Sequence, residues 1–213
     1  MPWFYYVGRV LARILFSLLT RWQVRGKENI PSQGPVIVVA NHLSFADPPL
    51  LGISLSLKMM FMAKKELFRS RFISYFVRTF GAFPVYRGQL DRKALRQSDE
   101  ILAQGLALIM FPEGKRSHNG QLQSGFSGLT LIALRNEVPI LPVGIAGTEK
   151  LKSIVGLLRR PKITVNIGQA FRLPAASGKL TKVELAGITS NIMERIAGLL
   201  PPEYRGNYTG QEN

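Results

Sequence analysis

Two histidines occur in the 213 residues, His42 and His118, so a reaction needing a side chain that titrates near neutral pH has two candidates. His42 stands five residues before a carboxylate, in Asn41-His42-Leu43-Ser44-Phe45-Ala46-Asp47-Pro48-Pro49. An imidazole held by a carboxylate can act as a general base, with the carboxylate fixing the tautomer and stabilising the imidazolium. Five residues are about 500° of rotation on a helix, so a non-helical turn must bring the pair together. Structural readings compete with the catalytic one. Asp47 could be a helix N-cap with Pro48 at the first helical position, and His42 a hydrogen-bonded histidine at a strand end. His118 lies in Ser117-His118-Asn119-Gly120, a turn, and is expected to be exposed.

A second cluster, Glu113-Gly114-Lys115-Arg116-Ser117, follows the apolar run 107–111. Flexible backbone, two cations and a hydroxyl at a strand's carboxyl end suit a phosphate group. It is no Walker A loop, because Ile109 stands where the first glycine would be. Glu113 could simply pair with the cations, and Lys115 and Arg116 could form a solvated turn. The nucleophile elbow is absent, since Gly125-Phe126-Ser127-Gly128 has the wrong spacing, and so is a Rossmann fingerprint. Zero cysteine excludes thiolate nucleophiles, disulfides and thiolate metal sites, and two histidines disfavour a histidine metal centre. A His–carboxylate pair without a nucleophilic Ser or Cys points to direct activation of a substrate hydroxyl.

The elements that must position these groups read as alternating strands and helices. Strands are expected at 36–40, 59–63, 81–88 (ending in Arg87), 107–111, 138–146 and 162–167. Helices are expected at 47–57, 65–80, 91–104, 126–136 and from a Thr181/Glu184 capping box to about Leu200. That alternation predicts an α/β layered domain with a central mostly parallel or mixed sheet flanked by helices. In 65–80 the residues Phe68, Phe72, Phe76 and Phe80 recur at i+4, which reads as a core stripe for most of its members, while the flanking cations place this face near an anionic surface. Residues 1–24 read as a separate N-terminal amphipathic helix, 25–200 as the domain, and 201–213 as a loose tail.

The net charge is +15, and residues 1–90 hold twelve Lys/Arg against three Asp/Glu. Such a balance implies an anionic partner. Basic residues interleaved with aromatics and leucines, without an RNA-binding or zinc-finger consensus, favour an acidic membrane surface over nucleic acid. In 3–22 the polar groups Arg9, Arg13, Ser17 and Arg21 form one narrow stripe at i, i+4, and the remainder is largely apolar. The uncharged run is too short for a membrane span, so an in-plane interfacial helix is expected, with a core-packing helix as the alternative.

His42-x-x-x-x-Asp47 resembles the HxxxxD signature of the glycerolipid acyltransferases, the 1-acylglycerol-3-phosphate acyltransferase family. Three further blocks stand in that family's order: Gly81-Ala82-Phe83-Pro84-Val85-Tyr86-Arg87, Phe111-Pro112-Glu113-Gly114-Lys115-Arg116-Ser117 and Val138-Pro139-Ile140-Leu141-Pro142-Val143. The resemblance runs from about Val24 to about Ile167. Tyr86 departs from the family's frequent Asp and Lys115 from its commonest Thr. The resemblance implies acyl transfer from acyl-CoA or acyl carrier protein to the free hydroxyl of lysophosphatidic acid, giving phosphatidic acid; glycerol 3-phosphate or another lysophospholipid as acceptor, or a non-catalytic lipid-binding protein of the same fold, are the alternatives. No cofactor or metal is expected. The resemblance assigns His42 as base and Asp47 as its orienting carboxylate. Arg87, Lys115, Arg116 and the Gly114 backbone would hold the acceptor's phosphate, and Glu113 would orient that loop or the acceptor. The short chain without cysteine or an obvious targeting signal reads as a bacterial enzyme peripheral to the cytoplasmic face of the inner membrane.

Overall fold

The computed structural model describes residues 3–86, 91–153, 156, 158–174, 178 and 180–209. Helix α1 (Trp3–Leu19) leads into strand β1 (Arg21–Arg25), followed by β2 (Val36–Ala40), α2 (Asp47–Ser54) and β3 (Met59–Lys64). Then come α3 (Arg71–Thr79), β4 (Ala82–Val85), α4 (Arg92–Ala103), β5 (Ala107–Met110) and α5 (Gly128–Asn136). Strands β6 (Ile140–Ala146) and β7 (Lys162–Ile167) and helix α6 (Lys182–Gly198) complete the order.

The strands form one seven-stranded sheet in the order β1-β7-β6-β2-β5-β3-β4. Every neighbouring pair is parallel except β6 and β7, so the sheet is mixed. Central strands β2, β5 and β6 are buried along their whole length, as expected for strands covered on both faces. Side-chain alternation then divides the core. Val36, Val38 and Ala40 pack with α2 and Phe16 of α1, whereas Ile37 and Val39 pack with residues of α4, α5 and α6.

Local chemistry sets the helix ends. The Asp91 carboxylate accepts the Lys93 and Ala94 amides at the start of α4, and Thr181 and Glu184 form the anticipated capping box of α6.

Several boundaries differ from the sequence expectation. The first helix stops at Leu19, and Thr20 closes it by donating its hydroxyl and amide to the Phe16 carbonyl. Trp22 is therefore not helical. Arg21–Arg25 alternates exposed and half-buried as an edge strand paired with β7, which makes it part of the domain. Helix 65–80 divides into a 3-10 turn, Lys65–Phe68, and α3. The division breaks the phenylalanine stripe and leaves Phe72 exposed. The segment after Leu200 is pinned rather than loose through residue 209. Leu122 donates its amide to the Tyr204 carbonyl, and the Tyr204 hydroxyl bonds Glu149.

Helix α1 packs a narrow stripe, with Tyr5 and Phe16 buried and Ala12 against the core, and Arg9 donates to the Leu55 carbonyl at 2.9 Å. Its other faces expose Val7, Val10, Leu11, Ile14, Leu15 and Leu18. No described helix is long and apolar enough to cross a membrane.

Candidate active site

Strands β2, β5 and β6 run parallel and adjacent, so their carboxyl ends gather at one sheet edge. Beyond β2 the Asn41 side chain bonds both the amide (2.7 Å) and carbonyl (2.8 Å) of Ile145 in β6, tying the turn to the neighbouring strand. His42 follows, and its Nδ1 lies 2.7 Å from Asp47 Oδ2. The turn between them supplies the geometry that a helix could not, because the Leu43 and Ser44 amides also donate to Oδ2 at 2.7 Å each. Oδ1 accepts the Thr148 hydroxyl at 2.6 Å. Asp47 is fully buried, and these four donors compensate a carboxylate taken out of water.

Asp47 does not cap α2, contrary to one sequence reading. It is the first helical residue, the N-cap is Ala46, and no side chain caps that end. The reason is chemical. Pro48 and Pro49 have no amide hydrogen, and the Leu50 amide already bonds the Ala46 carbonyl, so a capping carboxylate would find no donor there.

With Nδ1–H donated to Asp47, the free lone pair of the neutral imidazole lies on Nε2. The ring is stacked on Phe111, centroids 4.2 Å apart and planes 22° apart. The second cluster holds the backbone of the same residue. The His42 amide donates to Glu113 Oε1 at 2.7 Å, and the Ser117 amide donates to the His42 carbonyl at 2.7 Å. Glu113 Oε2 accepts the Gln123 amide at 3.0 Å. Glu113 thus ties the β2–α2 turn to the β5–α5 loop, which holds both Glu113 and Gln123, instead of pairing with Lys115 or Arg116. Burial pushes its carboxyl up to about 7. The His42 and Gln123 amides pull it down, the Asp47 charge raises it, and Lys115 lowers it.

The other predicted residues divide. Gly114 has φ +64 and the Phe126 ring 2.9 Å from where a Cβ would stand, so a side chain there is both strained and obstructed. The Lys115 side chain is exposed. Arg116 lays its guanidinium over the Phe45 ring, 3.7 Å from the centroid, and lines the same cleft as His42. His118 is exposed as expected. Arg87 lies outside the described residues.

That cleft has a volume of about 350 Å³ and runs from His42 between α1, α2, β3 and α3, walled by Tyr5, Phe61, Phe80 and Phe111. Cations Arg9, Lys64 and Arg116 are its charged lining. A larger cavity of about 430 Å³ lies among residues of α4, α5 and β4, and shares only Met62 and Phe111 with the first. The smaller one holds the imidazole, so it is the candidate reactive cleft.

Sequence reasoning missed Thr148, Phe111 and Phe45. Thr148 follows Gly147, whose φ of +93 and whose approach to the Lys162 carbonyl exclude a Cβ. Gly-Thr after an apolar strand was a legible turn signal, but the adjacency of β6 to β2 was not. Replacing Thr148 with Val keeps the shape and removes one donor from a buried carboxylate. That change should cost about 1–3 kcal/mol of stability. Chemical unfolding alongside kcat checks it, and unchanged values would show that the Thr148 bond carries no weight.

Comparison with known proteins bears on what this constellation belongs to. The acyltransferase family profile matches residues 21–146, more than half of the chain and the whole of the His42–Asp47 and Glu113–Ser117 region. The chain belongs to the acyltransferase family. This acyltransferase is similar to the 1-acyl-sn-glycerol-3-phosphate acyltransferase of Streptococcus pneumoniae, 32% identical over 76% of this chain and 60% of that one. It is also 28% identical to the protein of the same name from Bacillus subtilis, over 88% of this chain and 92% of that one. The crystal structure of the 1-acyl-sn-glycerophosphate (LPA) acyltransferase from Thermotoga maritima superposes with a TM-score of 0.68 at 30% identity, covering 88% of this acyltransferase and 76% of that chain. The mixed-sheet α/β architecture is thus that of a solved acyltransferase.

Proposed function

We propose that the protein is a 1-acylglycerol-3-phosphate O-acyltransferase. It moves a fatty acyl group from a thioester donor to the free hydroxyl of lysophosphatidic acid and yields phosphatidic acid. The observation that carries the reading is the His42 Nδ1–Asp47 Oδ2 pair opening onto an apolar cleft with Arg116 on its lining.

His42 Nε2 takes the hydroxyl proton as the acceptor oxygen attacks the thioester carbonyl carbon. Asp47, charge-compensated by four donors, stabilises the imidazolium that forms and keeps Nδ1 the donor. Collapse of the tetrahedral intermediate breaks the carbon–sulfur bond, and the imidazolium returns its proton to the departing thiolate. The ester and a free thiol result, and His42 is neutral again. No residue of the chain needs to become acylated.

Arg116 binds the acceptor phosphate, with Arg87, Lys115 and the Gly114 backbone as its partners in that role. The contact with the Phe45 ring limits the rotamer freedom of the guanidinium that phosphate binding would otherwise have to remove. Arg116→Ala should raise the acceptor KM about tenfold with a smaller effect on kcat. An unchanged KM removes Arg116 from phosphate binding.

The donor is acyl-CoA or acyl carrier protein, and the net charge of +15 suits either anionic carrier. The same reading places the enzyme peripherally on an anionic bilayer, at the cytoplasmic face of a bacterial inner membrane, with the exposed stripe of α1 in the lipid interface. The decisive experiment is an acceptor panel with one thioester donor. Lysophosphatidic acid is expected to turn over fastest. Faster acylation of glycerol 3-phosphate or of another lysophospholipid would overturn the acceptor assignment.

A further inference from the structure

Helix α3 exposes large apolar side chains beside its arginines. Phe72 is 89% exposed, Tyr75 68% and Ile73 47%, a cluster of large apolar groups on nine residues. Scattered exposed hydrophobics are normal, but aromatic groups gathered on one element mark an interaction surface. Cations are dense in the same stretch of chain. Between residues 58 and 80 stand Lys58, Lys64, Lys65, Arg69, Arg71 and Arg78 against a single acid, Glu66, which is paired with Lys64 at 3.6 Å.

The position of α3 matters as much as its composition. The reactive cleft is lined by Tyr5 and Arg9 from α1, by Val77 from α3 and by Phe80 just beyond it. The Phe80 ring lies 2.5 Å from where a Cβ on Gly8 would stand, so the residue just beyond α3 abuts α1 there. The cleft therefore lies between two elements that both expose apolar faces, with the 68%-exposed Phe45 also on its lining.

We propose that α3 is a second membrane-contact element, inserting Phe72, Ile73 and Tyr75 into an anionic bilayer so that the His42 cleft opens toward the lipid. This rests on the reading of a bilayer-resident lysophospholipid acceptor. Charge selects the occupant. A second copy of the chain meeting this face about a two-fold axis would set the exposed Arg69, Arg71 and Arg78 against the same cations, whereas anionic headgroups neutralise them. Geometry supplies the purpose. One in-plane helix leaves the protein free to roll about that helix, and a second contact at α3 fixes the roll. The acceptor then enters laterally and keeps its acyl chain in lipid throughout.

The test is the double variant Phe72→Ser/Tyr75→Ser in the full chain. Both side chains are exposed, so its thermal unfolding should match wild type. Binding is measured by sedimentation with phosphatidylglycerol-containing vesicles and with pure phosphatidylcholine vesicles. Turnover is measured on long-chain lysophosphatidic acid in those vesicles and on a short-chain analogue free in solution. Vesicle binding and vesicle turnover should fall about tenfold or more, and turnover of the soluble analogue should stay within about twofold. A companion variant in α1, Leu15→Glu/Leu18→Glu, should lose binding while α3 is intact, showing that both contacts are required. Unchanged vesicle binding and turnover in the α3 variant would overturn the proposal. So would a wild-type dimer that the variant dissolves, because a second copy would then cover α3. Failure of the acceptor assignment looks different: wild type would not acylate the soluble analogue, and the binding arm would still decide the role of α3.

Discussion

His42→Ala is expected to reduce turnover by about 10²–10⁴-fold, the usual weight of a positioned general base, without unfolding the protein. The backbone argument is specific. His42 is held through its amide to Glu113 and its carbonyl to Ser117, and alanine keeps both bonds. What is lost is the Nδ1 donor to Asp47 and the stack on Phe111. Asp47 retains the Leu43, Ser44 and Thr148 donors, so the buried carboxylate stays compensated. The loss should therefore fall on kcat, with donor and acceptor KM little changed. Stopped assays with one thioester donor, alongside thermal unfolding, separate the chemical role from a structural one. Near-wild-type kcat would remove His42 from the mechanism.

Glu113→Gln should alter both the pH dependence of stability and the rate. Burial raises the Glu113 carboxyl from its ordinary 4.5 to about 7, so the folded state holds that proton more tightly than the unfolded state does. The corresponding stabilisation is fully present below pH 4.5 and is lost as pH rises through about 7. The shift corresponds to about 3 kcal/mol. Unfolding free energy measured from pH 4 to pH 8 should thus fall in wild type relative to Glu113→Gln, and the difference between the two curves isolates this group. Glutamine also turns an NH₂ toward one of two amides that now donate to a carboxylate, which slackens the tie between His42 and Gln123. Because catalysis is sensitive to small displacements of a base, kcat should fall about ten- to a hundredfold. Parallel stability curves with an unchanged kcat would show that Glu113 is neither buried acid nor clamp.

Much of this could be read from the residues because the signals are local. The β-branched run 36–40, the Asp91 cap and the Thr181–Glu184 box each depend on neighbours within a few positions, and each formed where expected. The errors share a cause. Helical spacing of Arg9, Arg13, Ser17 and Arg21 carried the first helix too far, although Arg-Trp-Gln-Val-Arg already alternates with the period of a strand. The phenylalanine spacing in 65–80 implied one buried face, yet the chain leaves the helical path between Phe68 and Arg71. Periodicity records which residues could share a face, and only the surrounding elements decide whether a core exists to receive them.

The candidate site divides along the same line. The sequence alone determined the two histidines, the carboxylate five residues on, the Gly-Lys-Arg loop and the absence of any thiol, and these exclude thiolate chemistry. The tertiary structure decided what each group is used for. Strand order set β6 beside β2 and brought Thr148 to Asp47, 101 residues away. It set β5 on the other side and turned Glu113 from a partner of cations into the bond that fixes His42, 71 residues away. Residue types limit which interactions are possible, but the order of strands in the sheet chooses among them, because only then are the distances known over which a hydrogen bond can act.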